Sequence, residues 1–125
     1  MSWLPAGGST FGEVFALCPD ASERFGELYD ALWNGGVDAA TIDACRDRVD
    51  AVVRCVPAPP DTTADAATGV ALRFAEQYVL DPHGLTDRDF ELLHEHYTDA
   101  QIATLVLAAA MFDARARFSV ALEVV

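Results

Sequence analysis

Residues 98–112 read TDAQIATLVLAAAMF, and this stretch decides the fold class. Thr98 is a residue type that caps helix N-termini, and Ala, Leu and Met are strong helix formers. Residues 102–112 are apolar almost all round, which is typical of a helix enclosed by other helices or buried in a subunit interface. We therefore predict that the longest helix of the protein runs from Asp99 to about Leu122.

Helical spacing of apolar residues also dominates the chain upstream of this stretch, and strand signals are scarce. The helices are delimited by capping residues, by the pair Gly35-Gly36 and by the prolines that follow Val56. The predicted helices run from Ser9 or Thr10 to about Cys18, from about Asp20 to Asn34, from Asp38 to Val56, from about Asp65 to Val79, and from Thr86 to Tyr97. The sequence thus predicts a single all-α domain over residues 1–125, a bundle of about six helices.

Two of the predicted helices carry an apolar stripe that we expect to face the core. The stripe on the second helix consists of Phe25, Leu28, Tyr29 and Leu32. The inner side of the third helix consists of Ile42, Cys45, Val49, Val52, Val53 and Val56. Trp3, Trp33 and Phe11 are interpreted as core or interface residues.

The charge balance restricts the partners. The chain has 20 acidic and 8 basic residues, a formal net charge of −12, which argues against nucleic acid and against an anionic membrane surface. All basic residues are Arg, so the chemistry of Schiff-base or P-loop lysines is excluded. The N-terminus does not have the pattern of a signal peptide, and the longest apolar run is about half as long as a membrane span. We therefore predict a cytoplasmic protein.

The cysteines and histidines do not form a recognisable metal or disulfide pattern. Cys18, Cys45 and Cys55 are an odd, widely spaced set, and each is interpreted first as a buried small hydrophobic residue. Cys45 and Cys55 are about 15 Å apart along one helix, too far for a disulfide. His94 and His96 face different sides of a helix, so we predict no metal and no organic cofactor.

Several short motifs occur in an order that resembles the carboxymuconolactone decarboxylase-like family, which includes the alkylhydroperoxidase D-like proteins. These motifs are ELYDALW at 27–33, the Gly35-Gly36 turn, RDRV at 46–49 leading to Cys55, FAE at 74–76, DPHGLTD at 81–87, HYTDAQI at 96–102 and FDARARF at 112–118. The resemblance covers nearly the whole chain. It implies an all-helical fold that assembles into homodimers, trimers or hexamers.

The resemblance also implies where a reactive site would lie. The peroxidase branch of the family uses a Glu, then C-x-x-C twelve residues later, then a His four residues after the second Cys. These positions fall on Asp43, Cys55, Ala58 and Thr62 of this chain. Because a dithiol peroxidase needs a second thiol to resolve the sulfenic acid, we predict that this activity is absent.

The charged residues of the third helix have two interpretations. Asp43, Arg46, Arg48 and their acidic neighbours are spaced as a solvated, salt-bridged helix face. Alternatively, Asp43 transfers a proton in an interhelical pocket, and Arg46 or Arg48 binds the carboxylate of a substrate there.

Other candidate residues also have two interpretations each. His96 is either a proton carrier or a structural hydrogen-bonding group at a helix junction, and His83 either contacts a substrate or stabilises its turn. Arg115 and Arg117 either complement the dipole of the last helix or form ion pairs across a subunit interface.

Three functions follow from these alternatives. The first is proton-transfer chemistry, a decarboxylation or isomerisation of a small carboxylated substrate, with Asp43, Cys55 and His96 as catalytic candidates and Arg46, Arg48 and His83 as substrate-binding candidates. The second is a catalytically silent family member that binds a ligand or scaffolds an assembly. The third is one-cysteine peroxide reduction at Cys55.

Overall fold

The structure, a computed structural model, describes Leu4 and residues 8–58 and 65–125. This part of the chain is a helical bundle without strands, which confirms the predicted all-α class. The six helices are α1 (Phe11–Phe15), α2 (Pro19–Ala31), α3 (Ala39–Arg54), α4 (Ala66–Leu80), α5 (Asp87–His94) and α6 (Asp99–Ala121). Short 3₁₀ turns follow α2 and α4, at Leu32–Asn34 and Pro82–Gly84.

The helix starts agree with the capping residues of the sequence. The Thr10 hydroxyl accepts a hydrogen bond from the amide of Glu13 at 3.1 Å, which begins α1. The Asp38 carboxylate accepts one from the Ala40 amide at 3.4 Å, which begins α3. At α6, Thr98 and Gln101 form a complete capping box. Each cap satisfies amides that have no partner within the helix, so these local signals fix the register of the elements.

The end of α3 differs from the prediction. Cys55 takes a left-handed conformation with φ 56°, and the amide of Val56 donates back to the carbonyl of Ala51 at 3.0 Å. This geometry closes the helix with a Schellman motif. The chain therefore turns away at Cys55, and Val56 is 52% exposed instead of facing the core. Pro59, Pro60, Thr62 and Trp3 lie outside the described residues.

Two contacts between α3 and α4 show that these helices are parallel. The Thr41 and Thr68 hydroxyls are 2.8 Å apart near the helix starts. Arg48 pairs with Glu76 at 3.3 Å further along both helices. Since the contacts occur in the same order on each helix, α3 and α4 run in the same direction.

Helices α2 and α5 run against their neighbours. Trp33 near the end of α2 packs on Phe112 of α6, while the following Gly36 accepts a hydrogen bond from Gln101, at the start of α6. Phe90 of α5 contacts Phe74 of α4, and Tyr97, after α5, bonds the carbonyl of Ala67. In both pairs the order of contacts is reversed, so α2 is antiparallel to α6 and α5 is antiparallel to α4.

Helix α6 lies at the centre of the bundle, as its apolar sequence predicts. It contacts α1, α3, α4 and α5, and its buried residues include Leu105, Ala108 and Phe112. From the other helices, Ile42, Val49 and Leu93 are completely buried against it or its neighbours. Each such aliphatic side chain contributes about 1.5–3 kcal/mol to stability on burial. The predicted stripe of α2 is confirmed except at Leu28, which is 47% exposed.

Aromatic rings form a continuous seam on the α2 side of α6. Neighbouring rings have centroids 5.2–5.8 Å apart, a spacing typical of favourable edge and tilted contacts. This aromatic seam consists of Phe11, Phe15, Phe25, Tyr29, Trp33, Phe112 and Phe118. It ties α1 and α2 to α6, and it gives Phe11 and Trp33 the packing role that the sequence predicts.

Candidate functional site

A cleft of about 200 Å³ opens beside the aromatic seam, between α2, α3 and α6. Its polar wall consists of Arg46, Asp47, Asp50, Arg54, Arg115 and Ser119. Asp50 lies three or four positions from each of the other α3 residues, so these residues cluster on one side of the helix, and Arg115 and Ser119 share one face of α6. Gly36, just before α3, bonds Gln101 at the start of α6, and Val53 and Val120, near the ends of the two helices, line one groove. Helices α3 and α6 are therefore parallel, and these two faces lie opposite each other. Tyr29 and Phe112 of the aromatic seam also line the cleft.

Two of the three arginines in the cleft are bound by carboxylates of their own helix. Arg46 contacts Asp47 at 3.2 Å and Asp43 at 3.5 Å, and Arg54 contacts Asp50 at 2.9 Å. All these side chains are at least one-third exposed, so each pair contributes little to stability. This part of α3 fits the interpretation as a salt-bridged helix face.

Arg115 differs from the other two arginines. Its guanidinium carbon lies 4.8 Å from the centroid of the Phe11 ring and 5.6 Å from that of Tyr29. The residue is half-buried, and none of the ion pairs among the described residues involves it. The neighbouring Arg117 pairs with Asp113 at 2.6 Å and does not line the cleft. Arg115 thus contributes a guanidinium that forms no direct ion pair with a described residue.

Tyr29 contributes a second unoccupied polar group. Its hydroxyl makes no hydrogen bond to a described residue, and no buried side-chain polar atom of the described chain lacks a partner. The Tyr29 hydroxyl is therefore open to solvent. A phenol of this kind donates readily to a carboxylate oxygen.

Asp43 lies beside the cleft rather than in its wall. Its Oδ1 accepts a hydrogen bond from the indole of Trp33 at 2.9 Å and contacts Arg46 at 3.5 Å. The carboxylate therefore connects the aromatic seam to an arginine of the cleft. This contact positions Arg46, and the proton-transfer role of Asp43 stays a prediction.

The other residues predicted for the site are placed elsewhere. Arg48 points toward α4, where it pairs with Glu76. His83 is exposed in the 3₁₀ turn after α4, where its amide donates to Asp81. His96 is exposed in the turn before α6, about 20 Å along that helix from the cleft. The structure thus brings Asp43 and Arg46 together, and it separates them from Arg48 and both histidines.

Cys55 lies in a different depression, at the end of α3. It is exposed and lines an open groove of about 630 Å³ with Val56 and Val120. Cys18 is exposed as well, so the expectation of burial is confirmed for Cys45 alone and is wrong for the other two. All three thiols are free, in agreement with the predicted lack of a Cys45–Cys55 disulfide.

A buried polar cluster surrounds Cys45, between α3 and α4. Burial raises the pKa of the Cys45 thiol to about 12, so the thiol stays protonated. The Tyr97 hydroxyl donates to the carbonyl of Ala67 at 2.8 Å. Burial, followed by the neighbouring Cys45 and Asp65, raises the pKa of Tyr97 to about 12. The Cys45 thiol and the Tyr97 hydroxyl are therefore both neutral at physiological pH. Cys45 does not supply a thiolate nucleophile.

The sequence did not predict that Arg115 and Tyr29 line a cleft. The helix dipole and a subunit interface are general explanations for an arginine near the end of a helix, and neither predicts a cleft. A signal was present in the spacing of Phe112, Arg115 and Ser119, which share one face of α6. This spacing indicates a cleft only when it is known that α3 runs parallel to α6.

No group of three or more His, Cys, Asp or Glu side chains within residues 8–58 and 65–125 is arranged to hold a metal ion. None of the described helices is long and apolar enough to cross a membrane. No family model, no curated protein and no solved structure matches the chain. The family resemblance therefore stays a prediction.

Proposed function

We propose that the protein binds a small monocarboxylate in the cleft between α2, α3 and α6. The observation that carries this proposal is the guanidinium of Arg115, which lines the cleft without an acidic partner among the described residues. A carboxylate matches the planar donor geometry of guanidinium and accepts two parallel hydrogen bonds from it.

The composition and size of the cleft support a small anion. Its lining includes three arginines, whose guanidinium groups donate to carboxylates, and Arg115 among them has no ion pair with a described residue. The volume of about 200 Å³ is below the range of roughly 300–1,000 Å³ typical of drug-sized ligands.

The proposal is tested by titrating the protein with benzoate and with its neutral analogue benzamide, using calorimetry and amide chemical shifts. We expect benzoate to bind and benzamide not to bind. Arg115→Gln should weaken benzoate binding at least about tenfold, because a hydrogen bond to a charged group contributes about 1.5–3 kcal/mol. The matched control is Arg117→Gln, which removes an equal charge outside the cleft and should leave the affinity within about twofold.

Equal binding of benzoate and benzamide would contradict the proposal. An affinity that is the same in Arg115→Gln and in the unmodified protein would contradict it too. Circular dichroism of both variants separates a loss of binding from a loss of fold.

A second candidate function is proton transfer on the bound acid, which is favoured by the carboxylates of Asp47 and Asp50 in the same cleft. In an isomerisation of a β,γ-unsaturated lactone, a carboxylate would take a proton from the α carbon beside the carbonyl. The electron pair left on carbon would form a dienolate, and return of the proton at the γ carbon would move the double bond to the α,β position. NMR of a lactone acid in heavy water tests this step through exchange of that hydrogen for deuterium. Exchange that persists in the Asp47→Asn, Asp50→Asn double variant would contradict it.

The resemblance carries further proposals, namely membership of the carboxymuconolactone decarboxylase-like family, a homo-oligomer and a cytoplasmic location. Sedimentation velocity tests the assembly, and a purely monomeric protein at high concentration would contradict it.

One-cysteine peroxide reduction at Cys55 is tested by sulfenic acid labelling after peroxide treatment, with Cys55→Ser as the control.

A further inference from the structure

The geometry points to a flat, conjugated monocarboxylate, such as an aromatic acid, as the ligand class of the cleft. This inference rests on the proposed function and specifies its ligand. The observation behind it is that the guanidinium of Arg115, which has no ion pair with a described residue, lies against two rings of the aromatic seam, Phe11 and Tyr29.

The rings fix the surroundings of any carboxylate held by Arg115. Because the guanidinium lies near the rings of Phe11 and Tyr29, a carboxylate paired with it is brought next to the aromatic seam. In a conjugated acid the carboxylate is coplanar with the carbon framework. The framework of such an acid therefore continues the plane of the ion pair away from the guanidinium, beside the aromatic seam.

Tyr29 and Phe112 form the part of the aromatic seam that lines the cleft. Their rings meet nearly edge to face, at 77° and with 5.6 Å between centroids. Phe112 is only 3% exposed, so the half-buried Tyr29 provides most of the aromatic surface that a ligand can reach. A flat ligand can make an aromatic contact with the Tyr29 ring, whereas a puckered saturated ring of similar size loses part of this contact.

Tyr29 is the specificity-determining residue in this arrangement, because it supplies both a ring and an unoccupied hydroxyl. The hydroxyl can bond any carboxylate and does not distinguish flat from puckered acids. The ring does distinguish them. The two parts of one side chain thus have separable effects on affinity and on selectivity.

A second recess also combines an arginine with an aromatic ring, but it does not fit such a ligand. It is lined by Arg73, Phe74 and Asp89 and has a volume of only about 20 Å³. The cleft at Arg115 is therefore the better site for an aromatic acid.

The experiment compares benzoate with cyclohexanecarboxylate, which carries the same charge on a puckered ring. In the unmodified protein we expect benzoate to bind about three- to tenfold more tightly, the range of one aromatic contact. Tyr29→Leu should bring the ratio of the two affinities close to one. Tyr29→Phe should keep the ratio and weaken both acids equally, and Arg115→Gln should weaken both acids at least about tenfold.

The outcomes separate this inference from the proposed function. If both acids bind equally and depend on Arg115, the ligand class is wrong and carboxylate binding stands. If neither acid binds, or if Arg115→Gln has no effect, both proposals are wrong. If Tyr29→Leu does not fold, nuclear Overhauser effects between benzoate and the rings of Tyr29 and Phe112 are measured in the unmodified protein instead. The absence of these effects would overturn the inference.

Discussion

At the scale of single residues, burial distinguishes three cysteines that the sequence presents as equivalent. Cys18 and Cys55 are exposed, whereas Cys45 is 2% exposed and its pKa is raised by burial to about 12. Only about one Cys45 side chain in ten thousand is a thiolate at about pH 8. The spacing of the cysteines excludes a disulfide, but it does not indicate which thiol is buried.

We expect a maleimide reagent at about pH 8 to modify Cys18 and Cys55 rapidly in the folded protein, and Cys45 only when the bundle opens. Mass spectrometry of peptides from a time course measures each rate. Addition of urea should bring the rate at Cys45 to that of the other two, which serves as the internal control. Rapid modification of Cys45 without denaturant would contradict the buried cluster between α3 and α4.

The same burial makes the stability of the protein depend on pH in the alkaline range. The folded state holds the proton of Cys45 up to a pKa of about 12, whereas the unfolded chain releases it near the ordinary value of 9.0. Between these values the unfolded chain binds fewer protons, so the free energy of unfolding falls as pH rises. The raised pKa of Tyr97 acts in the same direction.

The expected loss from Cys45 approaches about 1.4 kcal/mol per pH unit within this window. Urea unfolding at several pH values measures it. Cys45→Ala should flatten the dependence, because it removes the titrating thiol, and Cys18→Ala should not change it. A pH dependence that is identical in the two variants would show that the buried thiol does not contribute.

At the scale of elements, local signals predicted where helices begin better than where their side chains point. The caps at Thr10, Asp38 and Thr98 are short-range hydrogen bonds, and a sequence window contains all of their partners. The burial of Leu28 and Val56 depends on neighbouring helices and on the left-handed turn at Cys55. Cysteine is not a residue type that favours such a turn, so the turn could not be predicted from the residue at this position.

The left-handed turn at Cys55 also predicts a stabilising substitution. Because a residue with a Cβ pays about 1–2 kcal/mol in this conformation, Cys55→Gly should raise the free energy of unfolding by about 1 kcal/mol. Ala103→Gly, at an exposed right-handed position of α6, is the matched control and should lower it by about the same amount. Denaturant unfolding checks both, and a destabilised Cys55→Gly variant would contradict the Schellman geometry.

At the scale of the whole molecule, the candidate site depends on how helices far apart in sequence are arranged. Tyr29, Arg46 and Arg115 come from three helices, and no short motif contains two of them. The sequence predicted an interhelical pocket with an arginine on α3, and Arg46 does line the cleft. It did not predict the partner helix, because the parallel course of α3 and α6 is a property of the packed bundle.

The net charge of −12 gives a prediction for the bundle as a whole. Excess like charge destabilises a compact state, and salt screens the repulsion over a Debye length of about 10 Å at 0.1 M. We therefore expect the unfolding midpoint in urea to rise when NaCl is increased from low ionic strength to about 0.3 M. The binding of benzoate at Arg115 should weaken over the same range, because salt screens the attraction that stabilises the complex.

Two single-charge variants test whether net repulsion is the cause. Glu27 is exposed, lies four residues after Glu23 on α2 and forms none of the described ion pairs, so Glu27→Gln should add a few tenths of a kcal/mol at low salt. Glu76→Gln removes the same charge but breaks the contact with Arg48, and it should therefore destabilise the protein. The benefit of Glu27→Gln should vanish at about 0.3 M NaCl. If NaCl instead lowers the midpoint, the attraction within pairs such as Arg46–Asp47 and Arg54–Asp50 outweighs the repulsion among the remaining acids.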